Sequence, residues 1–93
     1  MPVRVTKELL RALFRELQLL EKLEKGFISA RVYWQGKHFV GHLPAGATSL
    51  IVEYVWLDGK PFALVHEYRD LAGRRVGLPD PKYLRISEVS LFV

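Results

Sequence analysis

The sequence predicts an α+β domain in which an N-terminal amphipathic helix packs on a five-stranded antiparallel meander or small barrel. Three observations support this fold class. A helical period of apolar residues is confined to the first third of the chain, and a period of two follows it. The dipeptide Asp58-Gly59 separates two runs rich in β-branched and aromatic residues, which is typical of a β-hairpin. No helical pattern lies between the predicted strands, so they are expected to be antiparallel.

The predicted helix spans residues 7–25. Thr6 precedes it as an N-cap, and Gly26 follows it as a residue that readily adopts the left-handed conformation. On a helical projection the leucines, together with Ala12 and Phe14, share one broad apolar arc. This arc is wider than contact with one sheet requires. We therefore expect a homo-oligomer in which the helix contributes to the interface.

Five strands are predicted after the helix, over residues 27–35, 37–43, 49–57, 60–69 and 83–93. We expect a tight turn at Gln35-Gly36 and a type I′ turn at Asp58-Gly59. Gly41 indicates a bulge or bend in the second strand. Residues 70–82 contain two glycines and two prolines and are predicted to form a loop, with Arg74-Arg75 at its exposed tip.

Length and composition limit the class of protein. With 93 residues, of which 49% are hydrophobic, the chain is predicted to form a single domain over residues 1–93. The sequence contains no cysteine, which excludes disulfides and thiolate catalysis. No apolar run approaches the roughly 18 residues needed to cross a bilayer, and the N-terminus lacks the apolar region of a signal peptide. We therefore expect a cytoplasmic protein without a membrane partner.

Positive charge is concentrated in the N-terminal third. Eight basic and four acidic residues lie within residues 1–37, whereas the remainder has six of each. Because exposed cations neutralise phosphates, we expect a small basic, non-enzymatic binding module for RNA or another nucleic acid. Tyr33, beside Arg31, is a candidate for stacking on an unpaired base. The residues predicted to bind nucleic acid are Lys7, Arg11, Arg15, Lys22, Arg31, Tyr33, Lys37, Arg74 and Arg75.

Two alternative functions remain open. A metal-free RNase toxin of a toxin-antitoxin pair would use His66 or Tyr68 as acid or base and Arg69, Arg74 or Arg75 to hold the phosphate. No catalytic motif accompanies these residues, so a non-enzymatic function is favoured. A protein-interaction subunit, such as an inhibitor or adaptor, would instead bind its partner through the apolar face of the helix.

The sequence predicts neither a metal nor a cofactor. His38 and His42 share a predicted strand face but would lie about 13 Å apart at 3.3 Å per residue, too far to bind one zinc ion together. Glu67 points away from His66 because adjacent strand residues face opposite ways. The phosphate-binding and dinucleotide-binding glycine motifs are also absent from the sequence.

Two segments resemble the Sm-like (LSm/Hfq) protein family. One is similar to the first motif of that family and reads Val32-Tyr33-Trp34-Gln35-Gly36-Lys37-His38-Phe39-Val40-Gly41-His42-Leu43. The other, Ile86-Ser87-Glu88-Val89, is similar to the end of the second motif. Residues 44–48 stand where the family has an acidic residue and an RNA-contacting asparagine. The resemblance implies a small SH3/Sm-like barrel bent at Gly41, in a ring-shaped oligomer that binds RNA.

Overall fold

A computed structural model describes residues 2–37 and 47–93, with the backbone alone described for Lys37. The chain begins with strand β1 (Pro2–Arg4) and helices α1 (Lys7–Glu16) and α2 (Leu19–Glu24). The remaining strands are β2 (Ile28–Lys37), β3 (Thr48–Trp56), β4 (Pro61–Arg69), β5 (Arg75–Ile86) and β6 (Val89–Phe92). Together the strands form a six-stranded sheet in the order β1-β6-β5-β4-β3-β2.

The predicted five-stranded antiparallel meander or small SH3/Sm-like barrel is wrong, because the described strands form a six-stranded mixed sheet. β1 pairs with β6 in parallel, whereas the other neighbouring strands are antiparallel. The backbone N–H of Val5 extends this pairing by donating to the carbonyl of Phe92 at 2.8 Å. A strand of three residues is too short to show a period of two, which explains why the sequence did not reveal it.

The single predicted helix over residues 7–25 is also wrong, because the chain breaks it at Gln18. Thr6 caps α1 as expected, and its side chain accepts a hydrogen bond from the backbone N–H of Leu9 at 3.1 Å. Gln18 then adopts a left-handed conformation with φ 53° and ψ 45°. The break reorients α2, so that Leu19 joins Leu10 and Phe14 in the same core. Neither described helix is long and apolar enough to span a membrane.

The break also accounts for the wide apolar arc. The two short helices each contribute their own apolar residues to the core, and a projection that treats them as one straight helix merges the two sets into a broad arc. Leu10 and Leu19 are buried, and four further leucines pack against the core: Leu13, Leu17, Leu20 and Leu23. Most of the helical surface expected to contact a partner therefore lies within the chain itself.

The first two predicted turns differ from those observed. Gln35 and Gly36 do not form a turn, because they continue β2 and pair with Leu50 and Ser49. The predicted strand over residues 37–43 falls largely on residues 38–43, outside the described chain, and Lys37 ends β2. Asp58-Gly59 does join β3 to β4. However, Gly59 has φ 89° while Asp58 has no positive φ, so the turn is not type I′.

The predicted loop over residues 70–82 is wrong in its second half, where β5 already runs from Arg75. The glycines and prolines of this segment are compatible with a strand because β6 pairs only with residues 83–86 of β5. The part of β5 that contains Pro79 and Pro81 therefore has a described strand neighbour, β4, on one side alone. The predicted last strand is divided by a tight turn, in which Ser87 has φ 56°.

Both helices pack on one face of the sheet and enclose its core. Cross-strand register places Val52 opposite Val65 and Tyr54 opposite Ala63 on this face. All four residues are at least 95% buried. The complete cluster of buried residues comprises Leu10, Phe14, Leu19, Ile28, Leu50, Val52, Tyr54, Phe62, Ala63, Val65 and Leu84.

Candidate functional site

The residues predicted to bind nucleic acid are distributed over several surfaces. They lie on α1 (Lys7, Arg11, Arg15), α2 (Lys22), β2 (Arg31, Tyr33, Lys37), the segment between β4 and β5 (Arg74) and the first position of β5 (Arg75). Since β2 is an edge strand and the helices cover one face of the sheet, the set is divided among several elements of the fold.

Three of the predicted cations are paired with carboxylates. These pairs are Arg11 with Asp80 at 3.0 Å, Arg31 with Glu53 at 2.6 Å and Arg75 with Glu67 at 3.2 Å. The hydrogen bond to Asp80 raises the pKa of Arg11. Burial acts to raise the pKa of Asp80, but hydrogen bonds from Arg11 and Lys82 outweigh it and leave that pKa below its usual value. A guanidinium that is already neutralised offers less charge to a phosphate.

Glu67 is only 1% exposed and organises a buried ionic cluster at one end of the core face. Its carboxylate accepts hydrogen bonds from Nη2 of Arg69 at 2.8 Å and from Nη2 of Arg75 at 3.2 Å. Because a buried carboxylate needs such partners, Arg75 serves to stabilise the fold. It is not an exposed loop tip, contrary to the prediction for Arg74-Arg75. Arg74 itself is exposed.

Of the residues of the alternative RNase site, His66 and Tyr68 lie together, whereas Arg69 is directed away from them. The ring of His66 lies 4.7 Å from that of Tyr68, and Nε2 of His66 forms a 2.5 Å hydrogen bond with the hydroxyl of Ser49. The guanidinium of Arg69, in contrast, donates a hydrogen bond to Glu67. The side chain of Glu67 lies on the opposite face of β4 from those of His66 and Tyr68. A phosphate held by Arg69 would therefore be separated by the sheet from the proposed acid and base.

A first cleft lies between the two helices and the middle of β5, with a volume of about 360 Å³. It contains both signs of charge, because Arg11 and Arg15 share its lining with Glu21 and Asp80. Asp80 already pairs with Arg11. This mixed lining does not select for an anion.

A second cleft, here named the basic cleft, has a volume of about 470 Å³ and lies between α2, the β3–β4 turn and the end of β5. Lys22 from α2, Lys60 from the β3–β4 turn and Arg85 from the end of β5 line it. None of the described residues that line it carries a carboxylate. Its apolar lining consists of Leu17, Leu19, Trp56, Pro61, Phe62, Leu84 and Ile86, and Ser87 completes it.

The break in the helix and the order of the strands bring Lys22, Lys60 and Arg85 together. The left-handed break at Gln18 directs α2 so that Lys22 faces the sheet end. The β3–β4 and β5–β6 turns lie at the same end of the antiparallel strands, which places Lys60 near Arg85. Nε of Arg85 donates to the carbonyl of Ser87 at 3.2 Å. Lys22 and Lys60 form no ion pair with any residue in the described ranges.

Trp56 gives the basic cleft an aromatic wall. Its indole stacks on the ring of Phe62, with the ring centroids 4.0 Å apart and the planes inclined by 16°. Phe62 covers one face of the indole, and Trp56 remains 41% exposed. An exposed indole of this kind can stack on a planar group, and cations beside it can bind an anion attached to that group.

Sequence reasoning identified Lys22 but missed Lys60, Trp56 and the role of Arg85 in this cleft. The sequence nevertheless contained a signal that Lys60 and Arg85 are neighbours. In an antiparallel sheet, alternate turns lie at the same end, so cations beside two alternate turns are expected to be neighbours. Lys60 follows the Asp58-Gly59 turn and Arg85 precedes the Ser87-Glu88 turn.

Within residues 2–37 and 47–93, no three side chains of the His, Cys, Asp or Glu type converge as metal ligands. His38 and His42 lie outside the described residues.

Comparisons with protein-family models, curated protein sequences and solved structures gave no match. The resemblance to Sm-like proteins therefore stays a prediction from the sequence.

Proposed function

We propose that this protein binds single-stranded nucleic acid, with RNA as the favoured ligand, through the basic cleft. The single observation that carries the proposal is the combination of Lys22, Lys60 and Arg85 around the exposed indole of Trp56. Cations that follow a phosphate backbone and an aromatic ring that stacks on a base are the two usual components of single-strand recognition.

The proposed mechanism is electrostatic attraction combined with stacking. The three cations neutralise phosphates and release counterions, while a base stacks on Trp56 and buries the apolar lining beside it. Since stacking accepts any base, we expect weak sequence preference. No bond is made or broken in this proposal, and the cytoplasm is the compartment in which we expect it to operate.

Intrinsic fluorescence provides a direct test. The chain has two tryptophans, so Trp34→Phe leaves Trp56 as the only indole. Titration of this variant with a short oligouridylate should quench its fluorescence. The logarithm of the binding constant should fall with the logarithm of salt concentration with a slope of about −2, which corresponds to roughly −0.7 for each of three contacts on a single strand.

Charge reversal tests the location of the site. Lys60→Glu should weaken binding at least tenfold at low salt and reduce the salt slope. Lys7→Glu makes the same change of charge on an exposed residue of α1, outside the basic cleft, and should have a much smaller effect. Absence of binding at low salt, or equal losses in the two variants, would overturn the proposal.

A further inference from the structure

The basic cleft is limited in size. Its volume of about 470 Å³ lies in the lower part of the range, roughly 300–1,000 Å³, in which proteins enclose one small molecule. Trp56 supplies the exposed aromatic ring of the lining, since Phe62, on which it stacks, is only 3% exposed. One indole stacks on one base. The cleft therefore accommodates one base together with the phosphate attached to it.

The cations of this cleft surround one space instead of following one another along a single element. Lys22, Lys60 and Arg85 come from α2, the β3–β4 turn and the end of β5, and no carboxylate joins them in the described lining. An internal phosphodiester brings one negative charge into such a space. A terminal phosphate monoester brings nearly two at pH 7. The clustered charge therefore favours the monoester.

Carboxylates stand just outside the basic cleft. Glu21 precedes Lys22 in α2 and lines the first cleft instead. The side chain of Asp58 accepts a hydrogen bond from the backbone N–H of Lys60 at 2.9 Å, and Glu88 lies in the β5–β6 turn. None of these three carboxylates lines the basic cleft. A strand that continued past the cleft in both directions would approach this negative charge, whereas a strand end leaves the cleft on one side alone.

We propose that the basic cleft binds the end of a nucleic acid strand and prefers a terminal nucleotide that carries a phosphate monoester. This inference rests on the proposed function, because it specifies which part of the strand enters the same cleft. The terminal base stacks on Trp56. The doubly charged phosphate is neutralised by Lys22, Lys60 and Arg85.

Three oligouridylates of equal length test this preference by quenching of Trp56 in the Trp34→Phe variant. One carries a 5′-phosphate, one a 3′-phosphate, and one has hydroxyls at both ends. At about pH 7.5 at least one phosphorylated oligomer should bind about tenfold more tightly than the hydroxyl-ended one, and it identifies the end that enters the cleft. At about pH 5 this preference should shrink, because the monoester has a second pKa near 6 and loses one charge.

Two charge-neutralising variants locate the preference. Lys60→Gln should bring the affinities for the phosphorylated and hydroxyl-ended oligomers close together, whereas Lys7→Gln, on an exposed residue of α1 outside the cleft, should keep them apart. Equal affinities for the three oligomers, or a preference that both variants reduce equally, would overturn this inference. The hydroxyl-ended oligomer would then still quench Trp56 if the proposed function is correct. Absence of quenching by all three oligomers at low salt would overturn the proposed function as well.

Discussion

Trp34 lies over Gly36 on β2, and the missing side chain of Gly36 makes this arrangement possible. A Cβ atom added to Gly36 would lie 2.5 Å from Cη2 and 2.7 Å from Cζ2 of the indole. Gly36 does not have a positive φ. The indole in this position leaves no room for a side chain at residue 36, whereas the sequence suggested a turn there.

Gly36→Ala should displace the indole of Trp34 without unfolding the chain. Trp34 is 52% exposed, so its ring can rotate away, and we expect the free energy of unfolding to change by less than about 1 kcal/mol. The measurement is tryptophan emission in a Trp56→Phe background, where Trp34 is the only fluorophore. Emission should shift towards that of a fully solvated indole. Gly59→Ala, in the distant β3–β4 turn, should leave the emission unchanged.

Glu67→Gln should be strongly destabilising. Removal of this carboxylate leaves Arg69 and Arg75 without their shared partner, and loss of one member of a buried ion pair costs about 3–5 kcal/mol. The guanidiniums here retain some exposure, so we expect about 2–3 kcal/mol from urea unfolding. Glu53→Gln removes the partner of the exposed Arg31 and should cost less than about 1 kcal/mol. Similar losses in both variants would contradict the central role of Glu67.

Asp80 should contribute stability that depends on pH. Hydrogen bonds from Arg11 and Lys82 leave its pKa below the usual value although burial opposes them. Because the pKa is lower in the folded chain, this stabilisation is present above the unfolded pKa of about 4 and is lost as the pH falls through the folded pKa. Asp80→Asn should therefore destabilise the protein at pH 7 by urea unfolding. At strongly acidic pH the variant and the wild type should have the same free energy of unfolding. A difference in this free energy that does not change with pH would refute the prediction.

Tyr54 should make stability fall at alkaline pH. Burial, followed by the nearby Glu67, raises the pKa of Tyr54 to about 12. The unfolded chain ionises this hydroxyl first, near pH 10, so stability should decrease as the pH rises from about 10 towards 12. Tyr54→Phe should remove this part of the pH dependence. Tyr33→Phe, which changes an exposed tyrosine, should retain this part of the pH dependence.

The same Tyr54→Phe variant should be at least as stable as the wild type at pH 7. The hydroxyl of Tyr54 is buried and has no hydrogen-bond partner among the described residues. Replacing such a group with hydrogen removes a desolvation cost of about 1–3 kcal/mol while the ring keeps its packing against Phe14. A loss of more than about 1 kcal/mol on urea unfolding would indicate that the hydroxyl has a partner in solution.

The local patterns predicted some elements well. Thr6 begins α1 through its side chain, and the runs around Asp58-Gly59 form β3 and β4 within a residue or two of the predicted bounds. These features depend on helix capping and on the alternation of apolar and polar residues along a strand. Residues close together in the sequence determine both. Pro79 and Pro81 misled the prediction because proline disfavours only strands that are paired on both sides.

The candidate site was much less predictable. Of the three cations that line the basic cleft, only Lys22 was predicted to bind nucleic acid. Charge asymmetry along the chain pointed to α1, where Arg11 is paired with Asp80, 69 positions away. A pair so distant in sequence leaves no periodic signal.

The sequence by itself determined the start of α1 and the two strands about Asp58-Gly59, because hydrophobic period and capping act over a few residues. It also determined the excess of positive charge in the N-terminal third of the chain. Only the tertiary structure decided the parallel pairing of β1, the break at Gln18 and which cations remain unpaired. The physical reason is that these features depend on contacts between residues far apart in the chain, whose free energies local patterns do not contain.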